Sequence, residues 1–151
     1  MLDKQFQEEI IEWNEKCEDS QCRMKTKHIK KVKITKTSRV LIISLQRIIP
    51  GLDVKNKSIV KFYPRINLSK YSEKLWFNQD LSYTYDLKAV VNHYGNLSNG
   101  HYTADINLNG KWSEFDDESV KELNNINFVS DEAYTFYYVK TSSKVNEGKF
   151  N

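Results

Sequence analysis

Residues Asn92 to Val120 read NHYGNLSNGHYTADINLNGKWSEFDDESV. The stretch holds His93 and His101, three of the chain's five glycines (Gly95, Gly100 and Gly110), and the aromatic-acid-acid run Phe115-Asp116-Asp117. Asn109-Gly110 is a hairpin signal, because both central residues of a type I′ turn need positive φ. With those two residues in the loop, Leu108 faces Lys111, Thr103 faces Asp116 and His101 faces Glu118. Side chains alternate along a strand, so His101, Thr103, Asp105 and Asp116 share one face. Diagonal neighbours there stand roughly 7–8 Å apart by backbone, within reach of a ring and a carboxylate. The spacing therefore predicts a His101–Asp116 hydrogen bond. By the same parity Asp117 points to the opposite face with Tyr102, unless a bulge exchanges the two acids.

An acid placed in this way fixes an imidazole's tautomer and stabilises the imidazolium, the orienting role in a nucleophile–base–acid triad. A surface hairpin with a polar face has the same spacing, and spacing alone leaves both readings open.

The literal residues go further. Asn99-Gly100-His101-Tyr102-Thr103-Ala104, then Gly110-Lys111-Trp112, then Phe115-Asp116-Asp117-Glu118-Ser119-Val120 resembles the histidine box of ubiquitin-specific proteases. These are papain-like cysteine proteases that remove ubiquitin. Tyr85–Gly95 looks like the strand and loop entering that box, and Ala133–Lys140 is similar to the family's closing strand. Val40–Ile48, with Arg47 near its end, resembles the central apolar strand. Val60–Leu68 looks like the short strand that follows. The ordered set runs from about Trp13 to Lys140.

The resemblance implies roles. His101 takes the general-base position and Asp116 the third position of the triad. Asp117 stands where the family often has a second polar residue near the oxyanion region. Gly100 and Tyr102 flank the slot for the substrate's C-terminal Gly-Gly. His93 lies on the glycine-containing loop over that slot, as a substrate contact or as a structural loop histidine. The implied partner is ubiquitin or a ubiquitin conjugate.

The family's nucleophile belongs to a cysteine box that begins a helix, with glycine, asparagine and a following tyrosine nearby. Nothing here matches it. The two cysteines, Cys17 and Cys22, lie in Glu-Lys-Cys-Glu-Asp-Ser-Gln-Cys-Arg-Met, and by resemblance they fall in the fingers' zinc knuckle. A zinc site takes four ligands, usually as two close pairs. Here there is one pair at an unusual spacing, with Asn14 at the position of a first ligand. No cofactor is expected, zinc included. A disulfide is not expected either, since nothing marks the chain as secreted. A base without its nucleophile cannot run acyl transfer. The chain alone is expected to be inactive, with an N-terminal half, upstream in a longer protein or as one part of a split enzyme, supplying the cysteine box, or to be a catalytically dead ubiquitin-binding or scaffold module.

Composition excludes several classes. A chain of 151 residues with 39% hydrophobic and 13% aromatic content is globular, not disordered. A formal charge of +3 does not by itself imply nucleic acid. Six lysines from Lys25 to Lys36 form a basic run, but it holds no aromatics for base stacking, so nucleic acid is not an expected partner. The longest apolar run, Val40 to Leu45, is too short to cross a bilayer. The start has no signal-peptide apolar core. A cytoplasmic or nuclear setting is expected.

The expected fold is α+β and mostly antiparallel β. By resemblance, residues 1–140 are part of a ubiquitin-specific protease domain, with 1–36 fingers-like and 37–140 palm-like. Residues 141–151 read as a polar, frayed tail. The helical thumb is missing, so the palm sheet should expose apolar area and favour self-association.

Phe6, Ile10 and Trp13 recur at helical spacing, predicting an amphipathic helix over Asp3–Lys16. Lys25–Ile34 reads as a strand with a solvated face. Arg39–Ile48 reads as a central strand buried on both faces, ended by a turn at Pro50-Gly51. Strands are predicted at Ile59–Phe62, Tyr83–Asn92, Gly100–Leu108, Lys111–Phe115 and Ala133–Lys140. A short segment is expected at Ile66–Tyr71, a loop anchored by Trp76 and Phe77 at Ser72–Leu81, and a helical turn at Ser119–Asn124.

Overall fold

A computed structural model of the chain describes residues 2–16, 21–22, 24–49, 51, 54–73, 83–96 and 98–141. Cys17, Trp76, Phe77 and the tail from 142 onward lie outside the described residues. The chain divides into two compact units, Met1–Lys36 with Ser69–Gln79, and Thr37–Leu68 with Asp80–Asn151.

In the first unit, helix α1 is confined to Leu2–Gln5. The helix expected over Asp3–Lys16 is otherwise replaced by strand β1, Glu9–Lys16, which pairs antiparallel with β2, Lys25–Lys30. Ile10 faces Ile29 and Ile11 faces His28. Adjacent β-branched residues favour a strand once a partner ladder is available, and pairing overrides the helical spacing. The predicted solvated face of β2 is present, with Lys27, His28, Ile29 and Lys30 all exposed. Phe6 instead stacks on Tyr71 at 4.7 Å between ring centroids. Tyr71 belongs to a 3-10 turn at Ser69–Tyr71, and its hydroxyl donates to Asp3 at 2.9 Å.

The second unit is built on one antiparallel sheet. Its strands are β3 (Val40–Ser44), β7 (Arg65–Asn67), β8 (Thr84–Gly95), β9 (Gly100–Leu108), β10 (Lys111–Asp116), β11 (Ser119–Leu123) and β13 (Ala133–Lys140). The order is β11-β10-β9-β8-β13-β3, with β7 also paired to β8. Two small pairings flank it, β4 (Ile48–Ile49) with β5 (Val54–Lys55), and β6 (Val60–Lys61) with β12 (Val129–Ser130).

The core lies against β8 and β13. Val90, Leu87, Phe136 and Tyr138 are buried. Phe62 covers Phe136 at 4.8 Å and meets Phe128 edge-on at 5.6 Å. Burying each such side chain contributes about 1.5–3 kcal/mol. Two tyrosines bury their rings while satisfying their hydroxyls: Tyr85 donates to the Ser38 carbonyl at 2.7 Å, and Tyr138 to the Tyr63 carbonyl at 2.8 Å.

Two predicted elements are corrected here. The apolar run at Arg39–Ile48 forms β3, which sits at the end of the strand order rather than at its centre. Its strand ends at Ser44, and Val40 and Ile42 are exposed on one face. A continuous apolar run does not reveal how many neighbours a strand will have, and among the described residues β3 pairs with β13 only. Residues Ser119–Leu123 are strand β11, not a helical turn. Asp117 adopts φ of 48°, the chain reverses at once, and Ser119 pairs with Asp116.

Candidate active site

Strands β9 and β10 meet at Asn109-Gly110, with φ of 54° and 93°. Leu108 pairs with Lys111, and the register continues to Ala104 opposite Phe115. This is the expected register, and it brings Asp116 to the face that carries His101, Thr103 and Asp105. The predicted His101–Asp116 hydrogen bond is present, joining His101 Nε2 to Asp116 Oδ1. A carboxylate can only accept, so Nε2 carries the proton and a neutral ring keeps its lone pair on Nδ1. Both side chains are about half exposed, at 47% and 48%. The Asp116 hydrogen bond and charge hold the His101 imidazole above its ordinary value of 6.5, with a smaller contribution from Asp117.

Asp117 does not point away with Tyr102, as strand parity predicted. One ligand atom from each of His101, Asp116 and Asp117 lies within 4.8 Å of the others. The left-handed φ of 48° at Asp117 breaks the alternation, and a short polar side chain tolerates that conformation. The same closeness would allow the three side chains to share a cation. All three are exposed, and a hydrogen-bonded pair beside a turn acid accounts for the arrangement without one.

His93 lies in strand β8, not on a loop. It pairs with Tyr102 across to β9, so its ring is on the face opposite His101. The ring is buried, tilted by 31° against Tyr102 at 4.5 Å and edge-on to Tyr134 at 5.9 Å. Burial, aided by the Lys55 ammonium, lowers its pKa, and the Glu132 carboxylate acts in the other direction. Gly100 is required by contact: a Cβ there would lie 2.0 Å from His93 Nε2. Gly95, with φ of 98°, opens the tight turn in which the Asn96 side chain accepts from the backbone of Ser98 and Asn99 at 2.9 and 2.8 Å.

Other contributors had escaped the sequence reading. Tyr94 pairs directly with His101 and is exposed; a strand extended to Gly95 would have found it. A cleft of about 360 Å³ continues along this face, with Asn92, Tyr94, Asp105, Glu114 and Glu132 among its lining. Burial raises the Asp105 pKa, opposed by a 3.0 Å hydrogen bond from Asn92. The buried Lys55, which bonds Glu132 at 2.5 Å, left no sequence signal because its partners are distant in the chain.

Cys22 is a free, half-buried thiol. Among the described residues, no cluster of three metal-ligating side chains includes it.

The antiparallel sheet with its histidine–carboxylate pair at a hairpin is the arrangement expected of the palm of a papain-like domain. The family model described as ubiquitin carboxyl-terminal hydrolase matches residues 5–138, and the chain belongs to that family. It is 35% identical to putative ubiquitin carboxyl-terminal hydrolase 11 of Arabidopsis thaliana over 138 residues, which cover 86% of this chain and 15% of the relative. It is 30% identical to probable ubiquitin carboxyl-terminal hydrolase R319 of Acanthamoeba polyphaga mimivirus, over 93% of this chain and 31% of that one. The chain thus spans well under half the length of these curated relatives. Among solved structures, it aligns with a chain of a SAGA DUB module, composed of Ubp8, Sgf11, Sus1 and Sgf73 and bound to monoubiquitin. The TM-score is 0.77 at 25% identity, covering 93% of this chain and 32% of that one.

Proposed function

We propose that this chain supplies the base-and-acid half of a thiol-dependent deubiquitinase site. The observation that carries the reading is the His101 Nε2–Asp116 Oδ1 bond, which leaves Nδ1 as the basic nitrogen. A thiol from outside the chain's 151 residues gives its proton to Nδ1. The thiolate attacks the C-terminal glycine carbonyl of ubiquitin in an isopeptide bond. As the C–N bond breaks, the imidazolium returns the proton to the leaving lysine amine. Water, deprotonated by the same nitrogen, then hydrolyses the thioester. Asp116 holds the ring and stabilises its cation; Asp117 lies beside it. Gly100 and Tyr102 belong to the slot for the ubiquitin tail. The kinship to ubiquitin carboxyl-terminal hydrolases supports ubiquitin as the partner.

A second reading follows from a specific observation. Both cysteines precede Arg23, Cys22 belongs to the other compact unit, and no thiol is present in residues 37–141. The chain by itself would then hold ubiquitin without cutting it.

The test has two arms. The chain alone is incubated with a fluorogenic C-terminal amide of ubiquitin, and no turnover is expected. It is then grafted in place of the matching region of a full-length relative, where turnover is expected. His101→Ala should lower that turnover by about 10²–10⁴-fold. A graft that cleaves equally well with alanine at 101 overturns the assignment.

A further inference from the structure

Lys55 carries a buried ammonium far from the hairpin in sequence; its side chain is 3% exposed. It donates to the carbonyl oxygen of His93 and to Glu132 Oε2. The His93 amide in turn donates to the Glu132 carbonyl at 2.9 Å. The backbone of His93 is therefore held from both sides by one residue pair. The His93 ring lies against Gly100 and packs at a tilt on Tyr102, 4.5 Å between centroids, the two residues that flank His101. His101 leaves the opposite face of that strand to reach Asp116.

We infer that Lys55 and His93 are positioning residues for His101: the Lys55–Glu132 pair pins the His93 backbone, and the His93 ring sets the backbone on either side of the base. A buried ion pair is a costly way to gain stability, but it imposes a single geometry on the carbonyl it also binds. Catalytic groups need this support, because an imidazole displaced by about 1 Å loses its effective orientation. On this view the His93 ring supports the base from behind the sheet through its contacts with Gly100 and Tyr102. The inference rests on His101 being the base.

The test is a ring titration of the three histidines by NMR on the full chain, with His101 assigned by its loss in His101→Gln. Lys55→Met is the decisive variant. Removing a nearby cation would by itself raise an imidazole's pKa. Loss of positioning weakens the Asp116 hydrogen bond and lowers it. The expected result is a fall in the His101 midpoint of at least about half a pH unit, in a variant that keeps its far-ultraviolet spectrum.

Gly100→Ala is a charge-neutral second variant that forces His93 away, and the same fall is expected; it carries the test if Lys55→Met does not fold. A folded variant of either kind with an unchanged or raised His101 midpoint overturns the inference. Asp116→Asn separates the two readings. If it leaves the His101 midpoint in place, the base-and-acid assignment itself fails. If it lowers the midpoint while Lys55→Met does not, only the positioning role fails.

Discussion

His101 and Asp116 stand on adjacent antiparallel strands and share one hydrogen bond, from Nε2 to Oδ1. Because the folded state raises the histidine's pKa above 6.5, protonation of His101 favours folding. That contribution is fully present below the unfolded value and is lost as pH rises through the higher folded value. Urea midpoints of wild type and Asp116→Asn, compared from about pH 5 to about pH 8, should differ most at the acid end. A constant difference across that range would show that the bond does not depend on the imidazolium.

His93 should behave in the opposite sense. Its pKa is depressed by burial, so the unfolded chain binds a proton before the folded one does. Stability is lost as pH falls below the unfolded value and continues falling to the lower folded value. His93→Gln should flatten the acid side of the stability profile. The two ring titrations should lie on opposite sides of 6.5, and a His93 midpoint above it would contradict the buried site.

Gly110 carries a φ of 93°, with nothing within 4 Å of where a Cβ would be. Alanine there meets backbone strain and no clash, so Gly110→Ala should cost about 1 kcal/mol in urea unfolding. Asn109 already tolerates φ of 54°, and Asn109→Gly should change stability by only a few tenths of a kcal/mol.

Phe136 is 3% exposed and packs on Phe62 from the centre of the sheet. Phe136→Ala should cost about 3–5 kcal/mol. A small domain has about 5–15 kcal/mol to lose, so its denaturant midpoint should fall sharply. A loss under about 1 kcal/mol would mean that the site collapses around the missing ring.

Ile42 is 56% exposed on β3, which pairs only with β13 among the described residues. An exposed apolar edge strand invites further pairing. Light scattering should show concentration-dependent association of the wild-type chain, reduced by Ile42→Lys. A wild-type chain that stays monomeric at high concentration would mean this edge is not adhesive.

The local chemistry of the hairpin was legible in the sequence because it is carried by neighbouring residues. Asn109-Gly110 set the turn, the turn set the register, and strand parity brought Asp116 to His101. The predicted bounds of the strands at Gly100–Leu108 and Ala133–Lys140 match β9 and β13.

Other features depended on partners distant in the chain. Residues Glu9–Lys16 have helical spacing, yet they become a strand because β2 offers a ladder. The apolar run of β3 gave no sign that it would stand at the end of the strand order, with one neighbour among the described residues. Asp117 left the expected face because a left-handed turn residue escapes the two-residue period. The ammonium of Lys55, held between Glu132 and the His93 carbonyl, joins residues that no local pattern connects. What the sequence by itself determined was the turn and the histidine–acid pair, both properties of short-range geometry, and, by the resemblance of its ordered motifs, the family. Which strands are central, where Asp117 points and what stands behind His101 were decided only by the tertiary structure, because burial and long-range hydrogen bonding exist only once the strands have packed.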